Sequence, residues 1–402
     1  MGISDDILKL ILREGEDLGR TVIRKRAEQM ALPAAKRVKP TAERLMPETP
    51  EAYARTLQYT PQTPFRHLQP DPAKSGAKLP AKGRMGPLIE AQGDIADELR
   101  NRLRKGIGTQ DQFFYHTGPI YEAADDAGVP PSSFMKRFAS YFAGTSPRTQ
   151  TEPNLLNSSM LQYRAAEGLP LDQPVLGLAG EGAANDVGYA MITGMHPELA
   201  RRLDADPTGQ FNTNPKPSSF GFNTLGNLQG TTADTHAIRG ALLAFDARYP
   251  RQLPREWFRT DEAYGRYREG GIDSLNLDSD IDDSLKSAVG GGEKTQVEYG
   301  PMADIYDQAA GLLDVAPAEA QALGWFGLGE HTGLRSEAKS IVRLMNERIN
   351  VTAQLLGLPQ DTVARLYFQG RIPLAGVAGA GLLAGTPDDA AAAEIEQYLG
   401  GK

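Results

Sequence analysis

The sequence predicts a mainly α-helical protein. Apolar residues recur at helical spacing across most of 88–366, and runs of β-branched residues are short. The 43 Gly and 28 Pro point to many helix ends and loops between those segments. A chain of 402 residues with 40% hydrophobic content can build a substantial core and holds more than one structural region.

Residues 1–45 read as a basic amphipathic helical segment. Ser4 is placed to cap a helix whose apolar stripe is Ile7, Leu8, Leu10, Ile11, Leu18, Val22 and Ile23. Acids sit in its first turns, and Arg20, Arg24, Lys25, Arg26, Lys36, Arg37 and Lys39 follow. Acidic residues also stand where a secretory leader carries positive charge, so secretion by a signal peptide is not expected. Residues 46–87 read as an extended arm. Pro47, Pro50, Pro61, Pro64, Pro70, Pro72, Pro80 and Pro87 forbid a long helix, while Tyr53, Tyr59 and Phe65 offer points of attachment. The basic segment suits docking on a membrane, a partner or nucleic acid, or packing on its own or a neighbouring subunit, and the arm suits wrapping over another surface or serving as a plain linker.

A helical domain is expected over 88–335. Leu88, Ile89, Ile95, Leu99 and Leu103 mark its first helix, which Gly106 and Gly108 end. Further helices are expected over 117–126 and 131–143, the latter carrying Phe134, Phe138, Tyr141 and Phe142. The loop Gly144-Thr145-Ser146-Pro147-Arg148 leads into a helix with Asn154, Leu155, Leu156, Met160 and Tyr163. Asp234 precedes Thr235-His236-Ala237-Ile238-Arg239 and is a good N-cap for a helix that turns Ile238, Leu242, Leu243 and Phe245 inward. Helical spacing continues through Ile341, Leu344, Met345, Ile349, Leu355 and Leu356, giving C-terminal helices over 336–371. The remainder, 372–402, is a Gly- and Ala-rich hydrophobic tail. Its uncharged stretch from Ile372 to Gly385 is shorter than the roughly 20 residues that span a bilayer, so membrane contact there is at most superficial.

Charge and cysteine usage exclude several functions. With no cysteine, the chain has no disulfide, no thiolate metal site and no cysteine-held iron–sulfur cluster. The five histidines, His67, His116, His196, His236 and His331, lack metal-ligand spacing, so neither a metal nor another cofactor is expected. Asp278, Asp280 and Asp282 begin like a calcium loop, but Asp283 replaces the required glycine and Val289 the bidentate glutamate. Residues 1–110 hold 20 Lys and Arg against 14 Asp and Glu, whereas 111–402 hold 23 against 37. The helical domain is thus strongly acidic, which opposes binding of a polyanion unless its basic residues share one face.

Lys216 stands eighteen residues before Asp234, with Asn223 and Thr224 between them and Arg239 beyond. In this pattern the chain resembles the helix-hairpin-helix DNA glycosylases, most closely the endonuclease III branch. The resemblance implies a helical glycosylase-like core. It also implies a catalytic pair, with Lys216 attacking the sugar of a flipped-out nucleotide and Asp234 stabilising the positive transition state or taking a proton. Arg148, Asn154, His236 and Arg239 would then be DNA-contacting. One departure stands out: Asn212-Thr213-Asn214-Pro215-Lys216-Pro217 has no glycine, and its two prolines each remove an amide that would grip a phosphate. The Ser146-Pro147-Arg148 loop, Asn154, the Asp234-Thr235-His236 run and Ala320-Gln321-Ala322 with Trp325 also resemble a family of uncharacterised bacteriophage proteins. That resemblance implies a virion-associated protein, in the virion or the host cytoplasm, with other virion proteins as partners and DNA as a further one. Two expectations therefore stand side by side: a virion scaffold, and a DNA glycosylase or lyase.

Overall fold

The computed structural model describes residues 86–109, 111–146, 151–168, 215–281, 296–328 and 339–374, together with Leu45. The basic segment of 1–45, the proline arm, the loop carrying Arg148 and nearly all of the 372–402 tail lie outside these residues. Among the described residues the fold is mainly α, with twelve α-helices and no strand. In chain order they are α1 (Gly86–Glu90), α2 (Gln92–Leu103), α3 (Gly118–Asp126), α4 (Pro131–Gly144), α5 (Thr151–Glu167) and α6 (Pro215–Thr224), then α7 (Thr235–Arg248), α8 (Asp261–Gly270), α9 (Gln296–Leu313), α10 (Pro317–Gly327), α11 (Ile341–Leu356) and α12 (Gln360–Phe368). No described helix is long and apolar enough to cross a membrane.

The helices fall into two compact units, neither of them a continuous stretch of chain. One holds α3, α4, α5, α11 and α12; the other holds α1, α2 and α6 to α10. The span 88–335 supplies helices to both.

The five-helix unit is organised around the aromatic ridge of α4. Phe134, Phe138 and Phe142 recur every fourth residue and so share one face. Their rings stack in series, with centroids 6.1 and 5.3 Å apart. Phe134 also meets Phe368 at 4.8 Å and Tyr367 at 5.9 Å, which docks α12 on the ridge. Helix α12 ends at Gly370, whose φ of 69° closes a turn in which the Arg371 amide returns to the Leu366 carbonyl. A Cβ at Gly370 would sit 2.4 Å from that of Ala166, so glycine is required there twice over.

The seven-helix unit packs α2, α7, α9 and α10 around Ile95, Leu99, Leu103, Ile238, Leu242, Met302, Ile305, Tyr306 and Leu323, all buried. Tyr306 of α9 reaches between α7 and α10 and donates its hydroxyl to the Ala237 carbonyl at 3.1 Å. Two glycines make room for it. A Cβ at Gly240 would lie 2.5 Å from the Tyr306 hydroxyl, and one at Gly324 would lie 2.8 Å from its ring. Helix starts follow local chemistry. Thr260 caps α8 by accepting from the Ala263 amide at 3.1 Å, and Pro317 opens α10 where no amide is needed.

Candidate functional site

Lys216, Asp234, His236 and Arg239 all belong to the seven-helix unit, on α6 and at the start of α7. Pro215 and Pro217 occupy the first turn of α6, where a missing amide costs nothing, so these prolines initiate a helix. Lys216 sits between them, half-buried. Lys216, Ser219 and Asn223 are spaced to share one face of α6. That face meets the segment before α7: the Asn223 amide donates to the Thr232 hydroxyl at 2.9 Å, and the Ser219 hydroxyl lies beside the Tyr299 phenol. Helix α6 ends at Gly226, whose φ of 85° lets the Asn227 amide fold back to the Phe222 carbonyl.

The 225–234 segment is then pinned from α9 and α10. The Tyr299 hydroxyl donates to the Thr231 carbonyl at 2.9 Å and accepts from the Ala233 amide at 3.1 Å. The Thr231 hydroxyl donates to Asp307 at 2.6 Å, and the Ala318 amide donates to the Leu228 carbonyl at 3.1 Å. So held, Asp234 presents its carboxylate to the Ala237 amide at 2.9 Å and caps α7. It is only 3% exposed. Among the described residues no ion pair joins Lys216 to Asp234.

Three tyrosines surround this cap. Burial holds the phenols of Tyr115, Tyr299 and Tyr306 well above their usual range, and the Asp234 charge pushes each further. They act as neutral donors and acceptors. Asp307 is itself raised to about 6, first by burial and further by neighbouring Asp304, against the opposing bond from Thr231. His116, next to Tyr115, has its Nε2 2.7 Å from Glu319, which also accepts from the Ala316 amide at 2.7 Å.

The other candidates are placed as follows. Arg239 is buried and paired with Asp278, while Arg266 pairs with Asp280 at 2.8 Å. The described part of the calcium-like turn is thus neutralised by arginines of α7 and α8, and Asp282 lies outside the described residues. No group of described side chains is arranged to hold a metal ion. His236 is half-buried in the first turn of α7. In the five-helix unit Asn154 is also buried. Its amide donates to the Phe142 carbonyl at 2.8 Å and its oxygen accepts from Thr145, so it clamps the end of α4.

Sequence reasoning missed Tyr115, Tyr299, Thr231, Thr232 and Asp307 as parts of this site. Only Asn223 and Thr224 had a local signal, through their place between Lys216 and Asp234.

Among the described residues, fold and site define a mainly α-helical protein of two units, one of which carries a buried polar cluster around an aspartate helix cap. No protein-family model matches the chain, and neither a curated protein nor a solved structure matches it.

Proposed function

We propose that this chain is a bacteriophage virion-associated protein in which a glycosylase-like helical core serves as a scaffold. One observation carries the scaffold reading: Asn154, Asp234 and Arg239 are buried and use polar atoms to hold their own units together. A residue that grips DNA keeps its donors at the surface, as phosphate contacts require. The acidic composition of 111–402 acts in the same direction. The virion assignment rests on the sequence resemblance. The partners are other virion proteins or a second copy, engaged through 1–45 and the proline arm, and the location is the virion or the host cytoplasm. DNA contact and superficial membrane contact of the tail are secondary.

A DNA glycosylase or lyase is the second reading. It is favoured by the shared face of Lys216, Ser219 and Asn223 and by the meeting of Asn223 with Thr232, two residues before Asp234. In it Lys216 attacks C1′ of a flipped nucleotide and Asp234 stabilises the developing cation.

Borohydride trapping with abasic DNA separates the two. The scaffold reading expects no covalent complex at any salt concentration and unaltered stability in Lys216→Ala. An adduct that disappears in Lys216→Ala replaces the first reading with the second. Removal of the residues before Gly86 tests the assembly role, which fails if the shortened and full chains behave as identical monomers.

A further inference from the structure

One hydroxyl in the seven-helix unit has two acceptors within reach. Thr231 Oγ1 lies 2.6 Å from Asp307 Oδ1 on α9 and 3.5 Å from the Pro317 carbonyl at the start of α10. A threonine hydroxyl carries one proton, so it serves one of these acceptors at a time. An ionised Asp307 can only accept, and at the shorter distance it takes that proton's hydrogen bond. A protonated Asp307 can donate instead, which releases the hydroxyl proton for the carbonyl. Asp307 is half-buried, so its carboxyl can exchange a proton with solvent. Burial lifts it to about 6, against the bond from Thr231 and with a further push from Asp304. Both forms are therefore populated near neutral pH.

We propose that Thr231 is a proton-controlled switch between α9 and α10. With Asp307 ionised, the Thr231 hydroxyl donates to the carboxylate. When Asp307 takes a proton from solvent, its carboxyl donates to Thr231 Oγ1 and Thr231 donates to the Pro317 carbonyl. Through this hydroxyl the acid form ties the 225–234 segment to both helices, and the ionised form ties it to α9. That segment carries the Asp234 cap of α7, and the Tyr299 phenol that donates to the Thr231 carbonyl also feels the Asp307 charge. Asp304, one turn earlier on α9, is the neighbouring charge that acts on Asp307. Other charged groups on the surrounding elements have partners of their own. Glu319 of α10 bonds His116 and the Ala316 amide, Asp234 holds the Ala237 amide, and Arg239 of α7 pairs with Asp278. Asp246 of α7 and Asp94 of α2 accept from Tyr267 and Tyr249, while Arg100 and Arg102 of α2 pair with Asp97 and Glu98. His236 stands in the first turn of α7.

The test is an NMR pH titration of the full chain, isotope-labelled at proline carbonyls and alanine nitrogens, which reads the Pro317 carbonyl through the Ala318 amide. A second sample labelled at the aspartate carboxyls follows Asp307 directly. The expected result is a downfield shift of the Pro317 carbonyl on acidification, with the same midpoint as Asp307, at about 6. Thr231→Ser should keep the shift, and Thr231→Val should abolish it while Asp307 still titrates. Asp307→Asn donates from its side-chain amide at every pH, so it should hold the Pro317 carbonyl at its acid position throughout. Three results would overturn the proposal. One is a Pro317 carbonyl that stays still in the wild type across the window, whether or not Asp307 titrates; another is a shift that survives in Thr231→Val. The third is an Asp307→Asn chain whose Pro317 carbonyl rests at the neutral-pH position, and this arm decides the matter even if Thr231→Val fails to fold.

Discussion

In the five-helix unit the buried polar side chains are mostly neutral; Ser140, Thr145, Ser158 and Thr352 return to carbonyls of Lys136, Tyr141, Leu155 and Arg348, while Gln162 donates to the Tyr367 hydroxyl at 3.4 Å and the Ser159 hydroxyl accepts from the Leu374 amide at 2.6 Å. Among the described residues its buried charge is Arg348, which faces Glu152 at 3.1 Å. In the seven-helix unit the buried polar groups include acids, whose partners are local for Asp234 and drawn from far along the chain for Glu319. Asp246 accepts from the Tyr267 hydroxyl at 2.6 Å and the Arg251 amide at 2.8 Å, Glu319 bonds His116, and Thr231 reaches Asp307. A hydroxyl bonded within its own helix forms as soon as the helix does. A buried carboxylate is stable only once distant elements have converged on it. Both units therefore hold long-range polar pairs, carried in the first by neutral side chains and Arg348 and in the second also by buried acids.

The largest break in this contrast should come from Asp246→Ala. It orphans the Tyr267 hydroxyl and the Arg251 amide, the latter in a residue held at a φ of 61°. We expect a loss of about 3 kcal/mol, as for a buried hydrogen-bonded acid. Hydrogen exchange should show lost protection in α7 and α8 and spare α4 and α5; equal loss in both units would erase the distinction.

Next is Gly240→Ala, whose added methyl group meets the Tyr306 hydroxyl and should cost about 2 kcal/mol by overpacking. Adding Tyr306→Phe removes the clashing atom, so chemical denaturation of the double variant should recover most of that loss. No recovery would place the strain elsewhere.

Asp234→Ala and Asn154→Ala form a matched pair, each costing about 1 kcal/mol for a lost cap or clamp. Asp234→Ala should speed exchange of the Ala237 amide, and Asn154→Ala should leave that amide untouched.

The smallest effects concern pH and have opposite signs. Asp307 holds its proton up to about 6 because of burial, so its contribution is present in acid and is lost as pH rises through that value. Asp307→Asn should remove this loss and raise stability at neutral pH. Burial also pushes Glu319 upward, but the bond and charge of His116 and the Ala316 amide outweigh it and hold the carboxyl below its ordinary range. Its contribution is therefore present at neutral pH and lost as pH falls through the acid range, and Glu319→Gln should flatten that limb. Melting curves from pH 4 to 8 test both signs.

The helices were legible because their signals are local. The four-residue recurrence of Phe134, Phe138 and Phe142, and the Asp234-Thr235-His236 opening of α7, each lie within a few turns of chain. The expected helices over 117–126 and 131–143 correspond to α3 and α4. What surrounds Asp234 was not legible. Tyr299 lies 66 residues from the Ala233 amide it accepts from, and Glu319 lies 203 from His116. No periodicity reports such pairings. The pairing of Asp278 with Arg239, 39 residues away, was not legible for the same reason.

The slot occupied by Tyr306 also constrains how this sequence can change over time. Positions 240, 306 and 324 form one steric unit, because the space a methyl group would need at either glycine is taken by the same phenol. Substitution at 240 becomes tolerable only after the hydroxyl at 306 has gone, whereas at 324 the ring itself stands in the way. Drift through these positions is thus ordered: phenylalanine at 306 opens the route to alanine at 240, and alanine at 324 waits for a smaller residue at 306.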